Sequence, residues 1–137
     1  MSGAPTGDLP EVSAPVSDVD SQFYWAGLTR EQLLIQECGV CHKRRFPPMP
    51  SCPYCGAFET VVCEAWAGAI YSWVTVHRAF QPAFAVDVPY TLATVDLDGG
   101  GRMVARLEPG ESAKPGLRVV PFFVHHRTWS EVRFGPE

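Results

Sequence analysis

Four cysteines stand in two pairs: Cys38-Gly-Val-Cys41 and, after ten intervening residues, Cys52-Pro-Tyr-Cys55-Gly56. A C-x2-C pair sits on a tight turn that aims two thiolates at one point. Two such turns supply the four soft ligands of a tetrahedral metal site. A lone pair would suit thiol redox chemistry equally well; a double knuckle at this spacing points to metal. Sulfur takes all four positions, so no place is left for an activated water. The expected metal is structural, stapling a segment too small to fold by burial alone. Zinc is the expected ion, and the alternative is iron in the same cage, which would make the chain a rubredoxin-like electron carrier. Gly39 and Gly56 suit the backbone angles of the turns. His42, beside the first knuckle, reads as a surface residue, and Cys63, outside both, as a small buried apolar one.

No other constellation carries catalytic chemistry. Neither a Cys/His nor a Ser/His/Asp signature is visible, and no catalytic residue is assigned. His77, His125 and His126 fall in or beside predicted strands and read as edge or hydrogen-bonded residues.

The elements that must position these groups divide the chain in three. Residues 1–17 hold three prolines and little that could fill a core, and are expected to be a mobile or partner-bound arm. Over 18–37, Asp18, Asp20 or Ser21 could cap a short helix carrying Phe23, Tyr24, Trp25 and Leu28, whose continuation Gly27 and Thr29 weaken. Leu33–Gln36 then favours a strand leading into the zinc ribbon at 38–63. Three adjacent aromatic residues cannot share one helix face, so part of this surface is expected to pack on the ribbon or barrel, or to meet another subunit. Within the ribbon, Lys43-Arg44-Arg45 is the only basic run and reads as a solvated loop.

Residues 64–137 read as β structure. From Trp66 to His77 the alternation puts Trp66, Gly68, Ile70, Ser72, Val74 and Val76 on one face, and Tyr71, Trp73, Thr75 and His77 on the other. Tyr90–Leu97, the turn Asp98-Gly99-Gly100-Gly101, and Arg102–Leu107 form a hairpin. Leu117–His125 and Thr128–Phe134 complete five strands, and Pro121 requires an edge, an end or a bulge. The predicted fold is mainly β: a short N-terminal helix, a rubredoxin-like zinc ribbon and a five-stranded OB-fold barrel over 64–137. A nine-residue loop stands where such barrels carry a helix between strands three and four. The connection His77–Pro89 exposes Phe80, Phe84 and Val86 where a plain loop would be polar, so it is expected to fold against something.

Charge narrows the function classes. The net charge is −4, made up of −5 over residues 1–37, +2 over 38–63 and −1 over 64–137. A near-neutral barrel lacks the basic surface that phosphate binding needs, which counts against the single-stranded nucleic-acid binder that zinc ribbons and OB-folds otherwise suggest. No run of about 18 apolar residues occurs, so no membrane span is expected, and no signal segment is visible. A cytoplasmic location follows as an expectation.

The ordered combination resembles acyl-CoA-associated proteins that join a rubredoxin-like zinc ribbon to an OB-fold, a family long catalogued as a domain of unknown function. The residues that carry the resemblance are Phe23-Tyr24-Trp25, Leu34-Ile35-Gln36, the CGVC and CPYCG knuckles, the run Ser72 to Phe80 (SWVTVHRAF) and Pro89-Tyr90. The resemblance covers about residues 18–137, with 116–126 departing from the family's acidic strand pattern. It implies a noncatalytic subunit that partners a thiolase-like enzyme or a MaoC-like hydratase acting on CoA thioesters. The aldolase of steroid side-chain degradation, which cleaves a β-hydroxyacyl-CoA by a retro-aldol reaction, is the foremost case. Catalytic groups and most contacts to the acyl-CoA would belong to the partner. The candidate partner or acyl-CoA contacts in this chain are Phe23, Tyr24, Trp25, Tyr71, Trp73, His77, Arg78, Phe80, Phe84 and Tyr90.

Overall fold

A computed structural model describes residues 12–137. Most of the arm expected at 1–17 lies outside the described residues. The stretch that is described, 12–17, runs without regular structure, and the Val12 carbonyl accepts a hydrogen bond from the Trp129 indole at 3.4 Å.

The first element is helix α1, Gln22–Thr29. Ser21 occupies its N-cap position, and two reciprocal bonds fix the entry: the Asp18 N–H donates to Ser21 Oγ (3.1 Å) and the Ser21 N–H to Asp18 Oδ1 (2.9 Å). The helix ends at Thr29, in line with the weakened continuation expected from Gly27 and Thr29, and Gly27 sits in its last turn. A Cβ there would stand 2.9 Å from the Leu34 side chain and 3.0 Å from the Gln32 carbonyl. The glycine is what lets the helix press onto the strand that follows.

That strand, β1 (Leu34–Cys38), is the centre of a small sheet ordered β2-β1-β3, with β2 at Arg44–Arg45 and β3 at Thr60–Glu64. The expected lead-in strand is therefore present and delivers Cys38 from its last position. Cys63 on β3 faces Ile35 on β1 and is half-buried, packed against the core. The basic run needs correction: Arg45 is 2% exposed. Its Nη2 donates to Thr60 Oγ1 (2.8 Å) and to the Met49 carbonyl (3.2 Å), while Arg44 pairs with Glu37 at 3.2 Å. Strand pairing with β1 turned this segment inward where its charge alone argued for solvent.

The barrel comprises β4 (Gly68–Val76), β5 (Tyr90–Leu97), β6 (Arg102–Leu107), β7 (Arg118–His125) and β8 (Ser130–Pro136), closed in the order β4-β5-β6-β8-β7. The five strands and the hairpin between β5 and β6 agree with the sequence. In place of the usual OB helix stands one short 3-10 turn, Gly110–Ser112.

The first barrel strand departs from expectation. It starts at Gly68, leaving Trp66 outside and 72% exposed. Ile70 faces Val95 and Ser72 faces Thr94, so Tyr71 is an extra residue, a bulge. The bulge changes the facing of everything after it. Gly68 and Ile70 are buried, but Ser72 and Val74, expected on the same face, are exposed. Pro121 lies on β7 beyond the residues that pair with β4, where its missing N–H costs no ladder bond on that side.

One continuous core joins the parts. Tyr24, Leu28, Leu33, Ile35 and Ala65 from the helix and ribbon pack into the same cluster as Ile70, Val95, Leu107, Val119 and Phe134 of the barrel.

Candidate metal centre and partner surfaces

The four knuckle cysteines converge. Their Sγ atoms all lie within 4.8 Å of one another, with Cys38–Cys55 and Cys41–Cys52 at 3.6 Å. A tetrahedron with metal–sulfur bonds of about 2.3 Å has edges of about 3.8 Å, so the cage fits a four-thiolate ion. The backbone prepares it. The N–H groups of Val40 and Cys41 point at Cys38 Sγ (3.3 and 3.4 Å), and that of Tyr54 at Cys52 Sγ (3.4 Å). Those of Cys41 and Val40 favour the Cys38 thiolate and lower its pKa to about 6. Burial opposes ionisation of Cys52, but the Cys55 and Tyr54 N–H groups outweigh it and its pKa is also lowered. A thiolate is the form a metal binds.

The turn geometry differs in detail from expectation. Gly56 has φ +80°, and the matching residue after the first knuckle is His42, with φ +64°. His42 is exposed, as expected of a surface residue, but it occupies the left-handed position that Gly56 fills in the second knuckle. The His42 and Gly56 N–H groups close the two turns onto the carbonyls of Cys38 (3.0 Å) and Cys52 (2.9 Å). Gly39 serves packing: a Cβ there would approach Glu59 Cβ at 3.0 Å.

The ten expected contact residues separate into two surfaces. Tyr24, Trp25, Phe84 and Tyr90 line a groove of about 640 Å³ between α1, the Phe46–Pro48 segment of the ribbon and strands β5, β6 and β8. Phe23 packs against the core nearby. Tyr24 is only 5% exposed, set between Trp25 (ring centroids 4.8 Å) and Phe46 (5.3 Å), so it is chiefly a core residue that shows one edge to the groove. Burial, with the Glu131 charge close by, holds its phenol proton on. Trp129 on the opposite wall lies 6.2 Å from Trp25 and stacks on His126 at 4.4 Å.

Two charged clusters border this groove. The Arg106 guanidinium is 4.0 Å from the Tyr90 ring centre and 5.5 Å from that of Phe84, and pairs with Asp87 at 3.2 Å. The apolar 77–89 connection thus partly folds back on the barrel, with its 3-10 turn Pro82–Phe84 placing Phe84 over Arg106. Glu131 accepts from His126 (2.6 Å) and Arg133 (3.1 Å). Burial works against its ionisation, yet Arg133 and His126 together bring its pKa below the ordinary 4.5.

Tyr71, Trp73, His77, Arg78 and Phe80 lie elsewhere, along β4 and the start of the connection, with Tyr71 at 60% and Phe80 at 76% exposure. Arg102 stacks on Tyr71 at 4.0 Å while held by Asp96. His125 bridges Ser130 Oγ (Nδ1, 2.6 Å) and Glu31 (Nε2, 2.9 Å). Ser130 is buried, so this trio ties the end of α1 to the β7–β8 hairpin. Sequence reasoning named Tyr24, Trp25, Phe84 and Tyr90 but not the groove that brings them together. Phe46, Met103 and Trp129 are far apart in the chain, and the one available signal was a surplus of aromatic residues.

Comparison with known proteins gives this geometry a family. Residues 25–61 match the ChsH2 rubredoxin-like zinc ribbon domain, and residues 65–124 the ChsH2 C-terminal OB-fold domain. The chain belongs to the ChsH2 zinc-ribbon and OB-fold family. Among solved structures it is similar to a chain of an Ltp2-ChsH2(DUF35) aldolase, with a TM-score of 0.79, 31% identity, and coverage of 90% of this chain and 98% of that one. A DUF35 protein of unknown function from Sulfolobus solfataricus, 14% identical with a TM-score of 0.63, shares the fold. Two curated relatives are longer proteins. One is a probable enoyl-CoA hydratase alpha subunit of Thermomonospora curvata, 37% identical over 94 residues, 68% of this chain and 29% of that protein. The other is a 3-oxo-4,17-pregnadiene-20-carboxyl-CoA hydratase alpha subunit of Mycobacterium tuberculosis, 27% identical over 133 residues, 95% of this chain and 42% of that protein. The chain thus spans less than half the length of these curated relatives. Among the described residues, no helix is long and apolar enough to cross a membrane.

Proposed function

We propose that this chain is a noncatalytic accessory subunit of a thiolase-like acyl-CoA enzyme in the cytoplasm. The foremost activity for such a complex is an aldolase reaction, retro-aldol cleavage of a β-hydroxyacyl-CoA in steroid side-chain degradation. The observation that carries this reading is the likeness to nearly the whole of a chain from the Ltp2-ChsH2(DUF35) aldolase. The four-thiolate cage supports it, because a closed coordination sphere would hold zinc as a structural staple and offer no position to a substrate. The partner would supply the catalytic groups and bind most of the acyl-CoA. In this chain Arg78 and the Phe80–Phe84 stretch are the foremost contacts, with Phe23, Tyr24, Trp25, Tyr71, Trp73, His77 and Tyr90 beside them.

A second reading, accessory subunit of a MaoC-like acyl-CoA hydratase, is favoured by the names of the two curated relatives. Co-expression with a thiolase-like acyl-CoA enzyme, and separately with a MaoC-like hydratase, distinguishes the two. The proposal expects a stable complex with the thiolase-like protein and release of a ketone and a shortened acyl-CoA. It fails if the two never copurify and the enzyme alone is soluble and fully active.

A further inference from the structure

The barrel leaves part of one strand edge open. β4 pairs with β5 along its length, from Gly68 opposite Leu97 to Val76 opposite Tyr90, but with β7 only at Gly68 and Ala69. Among the described residues, the backbone of 72–76 makes no hydrogen bond outside the β5 ladder. In an antiparallel pair every second residue turns its N–H and C=O away from its neighbour, so this stretch presents unused donors and acceptors along its outer side.

Proteins normally blunt such an edge with a charge, a proline or a cover. On the β7 side the pairing runs on to Ile70, which exchanges backbone bonds with Leu117 and Gly116, and in the same register the chain opposite 72–76 is the 111–115 loop. Ser72-Trp73-Val74-Thr75-Val76 carries neither charge nor proline, and Tyr71, Trp73 and Val74 around it are 60%, 37% and 60% exposed. The next charged residue is Arg78, exposed just past the strand's end. An uncharged run of β-branched and aromatic residues on an open edge is an aggregation hazard unless something pairs with it.

We infer that the outer edge of β4 over residues 72–76 receives an extended segment of the catalytic partner subunit, which adds a strand to the barrel by β-augmentation. The inference rests on the accessory-subunit reading and specifies where that partner docks. The edge selects an uncharged, β-branched or aromatic segment with a carboxylate positioned to meet Arg78.

Amide hydrogen exchange on the free chain and on the purified complex with the thiolase-like subunit tests the pairing directly. The outward-facing amides within 72–76, which have no partner in β5, should exchange quickly in the free chain and slow by roughly tenfold or more in the complex, as paired strand amides do. Val74→Lys changes an exposed side chain and should keep the metal content and circular dichroism of the chain while weakening the complex by about tenfold or more. Val104→Lys, at an exposed position of β6 that lines the groove, should weaken it far less. A complex that forms with 72–76 unprotected, or that responds to Val104→Lys and not to Val74→Lys, overturns strand addition and leaves the accessory reading standing. Protection in the chain alone that grows with its concentration assigns the edge to a second copy and also overturns it. Absence of any complex removes the accessory reading and this inference together.

Discussion

At the scale of single residues, the knuckles show how backbone conformation and metal chemistry meet. Gly56 has φ +80° with open space where a Cβ would go, so Gly56→Ala meets no clash and pays only for the left-handed backbone. The expected loss is about 1 kcal/mol, and His42→Gly should give back up to about 1 kcal/mol at the matching position, both read from urea unfolding of the metal-loaded chain. Glu131 supplies a pH-dependent counterpart. Its folded pKa lies below 4.5 because Arg133 and His126 outweigh its burial, so its contribution is complete at neutral pH and lost as pH falls through the folded value. Glu131→Gln should therefore cost about 2 kcal/mol near pH 7, and wild type and variant should converge as pH falls through the lowered folded value. A cost that stayed constant with pH would assign Glu131 a packing role. Such roles are hard to see in one dimension. His42 looks like any surface histidine until the turn that holds it is built, and Arg45 looks solvated until Thr60 and Met49 close over it.

At the scale of elements, patterning was legible wherever both neighbours of a strand are regular. β5 alternates between half-buried and buried along all of its residues, as its sequence implies. β4 shows the opposite case: one extra residue at Tyr71 moves Ser72 and Val74 off the expected face, and period-2 reasoning contains no signal for a bulge. Helix α1 depends on the close approach at Gly27, so Gly27→Ala must push Leu34 or the Gln32 carbonyl aside. We expect a loss of about 1–3 kcal/mol, measured as a lowered denaturation midpoint with unchanged metal content. An unchanged midpoint would show that the helix can tilt away from β1 at no cost.

At the scale of the whole molecule, the metal site and the barrel are joined by a shared core, since Leu33 and Ile35 pack with Val95 and Phe134 in one cluster. Cys52→Ser should release the metal, and chelation should lower the melting temperature of the entire chain in one transition; a barrel that melts unchanged without metal would show two independent units. By itself the sequence determined the four-cysteine cluster, the five barrel strands and the family, because these depend on local spacing, alternation and motifs. Only the tertiary structure decided which aromatic residues became core, which line the groove, and which stay exposed beside the open edge of β4. Those outcomes depend on what packs across a strand or helix from far along the chain, and Tyr24, Trp25 and Trp73 carry no local mark that separates one fate from another.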